Sequence, residues 1–124
     1  MSVSYQLHCD DGQEPIIAGI TVVGRRPSAA GLGEELDGET RPRLIEVADP
    51  ERSVSRVHLL LGIFEGELWV QDLGSGNGTR IHYPDGASYP CTPGERFVVD
   101  PGCTITCGDR TFRVGAALGE NPVG

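Results

Sequence analysis

Two short stretches of this sequence gather side chains suited to holding an anion. In Ser53-Val-Ser-Arg-Val-His58, the hydroxyls of Ser53 and Ser55 and the guanidinium of Arg56 stand directly before the apolar run 57–61. In Asp72-Leu-Gly-Ser-Gly-Asn-Gly-Thr79, Gly74, Gly76 and Gly78 permit positive φ and let backbone N–H groups converge on one point. A third fragment, Gly24-Arg25, delivers an arginine at the end of the β-branched run 16–23. Hydroxyls, arginines and convergent amides are the donors that a phosphate asks for.

These groups act together only if the elements between them bring them together. Residues 57–64 and 67–72 read as two strands joined at Glu65-Gly66, a hairpin whose outer ends must meet. Ser55 and Arg56 are therefore expected beside Ser75 and Asn77, at the sheet end opposite that turn. Around the hairpin, short strands are predicted over 4–8, 16–23, 43–47, 80–83, 87–90, 96–99, 104–107 and 111–114, separated by Gly, Pro and Asp turns. Residues 28–42 carry four acids and almost no apolar content, and read as a long flexible acidic loop. Residues 116–124 read as a frayed tail. About ten or eleven short strands, with no repeat and no helical period, indicate an all-β sandwich.

The chain of 124 residues, with 18 Gly and 9 Pro, is expected to be one domain over 1–124 with its core at about 4–115. A formal charge of −8 argues against a nucleic-acid partner, because the long-range field repels it. Any anion must be captured by local arginines. No apolar segment approaches the ~20 residues of a membrane span, and Met1-Ser-Val-Ser-Tyr has no signal-peptide core, so no membrane insertion and a cytoplasmic location are expected. Cys9, Cys91, Cys103 and Cys107 form no Cys-x-x-Cys pair. On one strand Cys103 and Cys107 would stand roughly 13 Å apart, too far for a disulfide, and buried free thiols are expected. No metal ligand set and no cofactor motif is present, so neither is expected.

Taken together in this order and spacing, Gly24-Arg25, Ser53-Val-Ser-Arg-Val-His58, Asp72-Leu-Gly-Ser-Gly-Asn-Gly-Thr79 and the late Pro101-Gly102 to Gly108 closure resemble the forkhead-associated (FHA) domain over residues 15–115. The resemblance implies an eleven-stranded β-sandwich whose loops at one end bind phosphothreonine in partner proteins, the substrates of Ser/Thr kinases, without catalysis. By the same resemblance Arg25 pairs with the phosphate, Ser55 bonds it through hydroxyl and N–H, Arg56 adds charge, and Asn77 holds the peptide backbone. Gly76 stands where many resembling domains carry Thr or Ser, so only its backbone N–H is left to serve. His58 is expected to hold the loops by hydrogen bonds to their backbone, with Gly24, Gly74, Ser75, Gly78 and Thr79 as scaffold.

Two other classes compete. An enzyme built on Ser55, His58 and Asp72 meets the objection that Ser55 and His58, three apart in extended chain, point to opposite faces. There is also no nucleophile elbow and no P-loop. A phosphate-independent interaction module would use another face of the same sandwich. Trp69 is expected in the core or on one sheet surface.

Overall fold

Alternation decides the first strand. In Val3–Cys9 (β1), Tyr5, Leu7 and Cys9 are buried, while Ser4, Gln6 and His8 are half exposed. The computed structural model describes residues 3–119 and places eleven strands in two sheets. The others are Ile16–Ile17 (β2), Thr21–Gly24 (β3), Arg43–Glu46 (β4), Leu59–Phe64 (β5), Glu67–Asp72 (β6), Thr79–His82 (β7), Ser88–Pro90 (β8), Arg96–Val99 (β9), Thr104–Cys107 (β10) and Arg110–Gly119 (β11). One sheet runs β2-β1-β11-β10-β7-β8 and the other β4-β3-β5-β6-β9. Their inner faces meet in one core: Leu7, Ile81, Ile105, Phe112 and Val114 from the first lie against Val23, Leu59, Leu61, Leu68 and Val70 from the second. The fold is an all-β sandwich, as the turn-rich composition implies.

Beyond shifts of one or two residues at strand ends, three segments differ from the sequence reading. The run 16–23 is two strands: Ala18-Gly19 interrupts it, and the halves join different sheets, β2 pairing β1 and β3 pairing β5. Residues 116–119, expected as tail, continue β11, because Tyr5, Ser4 and Val3 of β1 pair them in register as Tyr5↔Ala117, Ser4↔Leu118 and Val3↔Gly119. The rest of the expected tail, 120–124, lies outside the described residues.

The third correction concerns residues 28–42, which are not bare acidic loop. Gly33–Leu36 forms a 3-10 turn whose Leu36 is buried against Val22, Leu60 and Trp69 on the outer face of the five-stranded sheet. Trp69 lies on this face over Gly62, where a Cβ would collide with the indole. The Arg96 guanidinium stacks 3.8 Å from the Trp69 ring centroid, donates to Asp37 Oδ2 at 2.7 Å, and donates to the Glu35 carbonyl at 2.8 Å. Leu36, with Ala29 and Leu32 packed beside it, and a long-range arginine tie the acidic segment down. Ala29, Leu32 and Leu36 do recur at i, i+3 and i+7, but four acids and three glycines between and around them mask that spacing, and the arginine lies far along the chain.

All four cysteines are buried, free thiols. Burial pushes Cys9 and Cys107 up to about 12 and Cys91 to about 11, so they stay protonated and behave as small apolar side chains.

Candidate functional site

The end of β3 and the segment leading into β5 lie edge to edge. His58 N–H donates to the Val23 carbonyl at 2.9 Å, Arg25 N–H to the Ser55 carbonyl at 3.0 Å, and Arg26 N–H to the Arg56 carbonyl at 3.0 Å. The approach is so close that a Cβ on Gly24 would collide with the Arg56 carbonyl. Glycine before Arg25 thus sets the distance between the two loops. Arg25 is half buried, and its Nε donates to the Val54 carbonyl at 3.2 Å, which leaves the terminal nitrogens of the fork for another acceptor.

The β5–β6 hairpin turns through Glu65 (φ 51°) and Gly66 (φ 80°), both left-handed as a two-residue hairpin turn requires. It returns Asp72 opposite Leu59, and Leu73 N–H donates to the His58 carbonyl at 2.9 Å. The glycine-punctuated turn therefore emerges beside Ser55, as strand geometry alone implies. Asp72 is fully buried. Its Oδ2 accepts the N–H groups of Gly74 (2.9 Å) and Ser75 (3.0 Å), and its Oδ1 accepts the hydroxyls of Ser75 (2.5 Å) and Thr79 (2.6 Å). Burial pushes this carboxyl up, but the bonds from Ser75, Thr79 and Gly74 outweigh it and hold the group below the usual carboxylate range. The turn is wound around an ionised aspartate.

His58 sits between the two loops with no exposed surface. Its Nδ1 accepts Ser55 N–H at 3.0 Å, and its Nε2 lies 2.9 Å from the Gly78 carbonyl. A donor faces Nδ1 and an acceptor faces Nε2, so the ring is neutral with its proton on Nε2. Burial pulls its pKa below the ordinary histidine value, against the opposing pull of the Gly78 carbonyl, Asp72 and Asp49. Residues 55–58 are not extended here: the ring folds back onto the Ser55 amide, and the opposite-face expectation does not hold. The Ser55 hydroxyl, however, is turned away to Gly76, whose N–H donates to Oγ at 3.0 Å. That hydroxyl keeps its own proton for an acceptor.

Asn77 is exposed, and its Nδ2 donates to the Ser53 carbonyl at 2.8 Å, so it bridges the same two loops that His58 joins beneath. Arg56 is exposed. The structure brings Arg25, Ser55, Arg56, Gly76 and Asn77 to one end of the sandwich, with Gly24, His58, Gly74, Ser75, Gly78 and Thr79 behind them.

Two anchors were missed in the sequence. Asp49 Oδ1 accepts both the N–H (3.1 Å) and the hydroxyl (3.0 Å) of Ser53, and Oδ2 accepts Val54 N–H at 2.7 Å. Burial raises this carboxyl, but the Val54 and Ser53 bonds and the charge of Arg25 hold it below the usual range. The Ser53 hydroxyl in turn accepts Asp109 N–H at 2.8 Å, and a Cβ on Gly108 would collide with the Ser53 carbonyl. Asp49 reaches four and five residues on, beyond the two-residue span of the usual aspartate turn, so the spacing Asp49-x-x-x-Ser53 carries little local signal. The contact with Gly108 crosses to the other sheet and leaves no local trace.

The FHA domain family model matches residues 21–108, which takes in every one of these loops. The chain belongs to the FHA-domain family. Among solved structures the chain is similar to the FHA domain of human APLF in complex with an XRCC1 bisphospho peptide, at 24% identity over 91% of this chain and 98% of that one, with a TM-score of 0.60. It is also similar to the FHA domain of an Arabidopsis thaliana protein, at 23% identity over 97% and 91% with a TM-score of 0.64. A third FHA structure, from work on phosphothreonine-dependent FHA interactions, matches at 22% identity over 95% and 99% with a TM-score of 0.60. None of the curated proteins matches the chain. Among the described residues of this FHA domain, no three His, Cys, Asp or Glu side chains gather as a metal site, and no helix is long and apolar enough to cross a membrane.

Proposed function

We propose that this FHA domain recognises phosphothreonine in partner proteins marked by Ser/Thr kinases, and that it does so without catalysis. The observation that carries this reading is the convergence of the free guanidinium end of Arg25 and the undonated hydroxyl proton of Ser55 at one loop end, beside exposed Arg56. A phosphate at neutral pH carries about −1.5 to −2 charge and three acceptor oxygens, so it takes a forked guanidinium, a hydroxyl and a second cation together. Against the chain's net charge of −8, this local cluster supplies the positive charge that the phosphate meets. In this reading exposed Asn77 accepts a backbone N–H of the bound chain through its carboxamide oxygen, while its Nδ2 stays on the Ser53 carbonyl.

No nucleophile and base are paired. The Ser55 hydroxyl bonds Gly76, and the His58 ring is committed on both nitrogens to backbone groups. Calorimetric titration of matched phosphothreonine, phosphoserine, glutamate and unmodified peptides tests the reading. Phosphothreonine is expected to bind tightest, and equal binding of the unmodified peptide would replace the reading by a phosphate-independent interaction module.

A further inference from the structure

The outward side chains of the six-stranded sheet stand in two rows fixed by register. His8, Arg113, Thr104, His82 and Ser88 lie abreast across β1, β11, β10, β7 and β8. Beside them run Thr111, Thr106, Arg80 and Pro90. Within the strands neither row contains a carboxylate, in a chain with 18 acids and 10 basic residues; Asp10, one residue past β1, ends the second row opposite Thr111. Arg80 and Arg113 are exposed, and neither forms an ion pair among the described residues. Arg80 Nε donates to Ser88 Oγ at 3.1 Å, which steadies the guanidinium and leaves its terminal nitrogens to solvent.

Asp109, next to Gly108 of the β10–β11 turn, is exposed, while three other acids at the margins have partners. Glu14 bonds His8 Nδ1 at 2.8 Å, Asp10 accepts Thr111 N–H at 3.2 Å beside Arg110, and Asp85 accepts Ala87 N–H at 2.9 Å within its turn. The face is thus a basic strip on an acidic molecule. A cavity of about 190 Å³, whose lining includes Asn77, Gly78, Arg80, Pro90 and Thr106, joins the loop site to the second row.

We propose that this sheet face is a second docking surface, which takes an acidic stretch of the same partner chain whose phosphothreonine is held at Arg25 and Ser55. The inference rests on the phosphopeptide reading above. Arg80 and Arg113 pair with carboxylates of that stretch, and the threonine rows supply hydroxyl donors between them. Two strand spacings and an offset of two residues set the arginine Cα atoms roughly 12 Å apart, which three to four residues of extended chain span. An exposed ion pair is individually weak. Tethering by the phosphothreonine makes it count, because the second contact forms at high effective concentration.

The test uses the whole domain and four phosphothreonine peptides of equal length. A run of four Glu, or four Gln as control, is set three residues before or three residues after the phosphothreonine, and the remaining flanks are Gly and Ser. The Glu run on one side is expected to tighten binding about three- to tenfold over its Gln control, with the gain shrinking as salt rises. The double variant Arg80→Ala, Arg113→Ala is expected to lose that gain while binding the Gln peptides as wild type does, and Arg80→Glu, Arg113→Glu to turn it into a penalty. Equal binding of Glu and Gln peptides on both sides, or a gain that survives in the double variant, overturns the sheet-face site and leaves the loop site standing. Failure of the Gln phosphopeptides to bind at all overturns the phosphopeptide reading itself, and the composite surface with it.

Discussion

His58 Nδ1 holds the amide of Ser55, three residues earlier, at 3.0 Å, while Nε2 of the same ring donates to the Gly78 carbonyl 2.9 Å away. One buried imidazole therefore fastens the two loops that carry Ser55 and Asn77. Replacing His58 by Ala leaves both backbone groups unpaired in a closed site, at about 1–3 kcal/mol for each. Melting temperature and phosphopeptide affinity are expected to fall together, and a variant that melts as wild type does but no longer binds would show that the ring acts on ligand directly.

The same ring makes stability depend on pH. Its folded pKa lies below the unfolded value of about 6.5, so the unfolded chain binds the extra proton more readily. The His58 contribution is therefore fully present above about pH 6.5 and is lost as pH falls through the lower folded value. Melting curves from pH 7.5 down to 4.5 are expected to show a decline beginning near 6.5, with that early part of the decline missing in His58→Gln. An identical slope in the variant would assign the decline elsewhere.

Among the described residues Arg25 bonds the fold through its backbone N–H and one Nε bond and sets its charge beside Asp49, so Arg25→Ala is expected to lower melting only slightly. Affinity for a phosphothreonine peptide should fall about ten- to a hundredfold, the equivalent of one charge-assisted contact of roughly 1.5–3 kcal/mol. Lysine should restore only part of it, since a point charge cannot reproduce the fork. Calorimetry of the two variants decides.

Asn77 is tied to the Ser53 carbonyl from an exposed position. Asn77→Ala is accordingly expected to cost stability by no more than about 1 kcal/mol while lowering affinity clearly. Unfolding of the variant would make Asn77 a turn residue alone.

Asp49 organises Ser53 and Val54 by accepting their N–H groups and the Ser53 hydroxyl. Asp49→Ala removes three acceptor contacts, and both affinity and melting temperature are expected to drop. Faster amide exchange at residues 53–55, measured by NMR, should accompany the drop, and unchanged exchange there would contradict the anchoring role.

The sandwich itself was legible along the chain because its evidence is local: period-two burial in strands such as β1, turn residues between them, and a hairpin that must bring its outer ends together whatever else the chain does. The resemblance to the FHA domain was legible for the same reason, since Gly24-Arg25, Ser53 to His58 and Asp72 to Thr79 are short contiguous motifs. What the tertiary structure decided were relations between distant segments. That Gly24 must lack a Cβ follows from the Arg56 carbonyl pressed against it, and that Ser53 must be held follows from Asp49 on one side and Gly108 on the other. That residues 28–42 pack against the sheet depends on Arg96, some sixty positions on, reaching Asp37 across Trp69. The basic strip of Arg80 and Arg113 exists only once β10 is set between β7 and β11, because strand order in a sheet, unlike strand identity, is fixed by packing and not by any pattern within the strands.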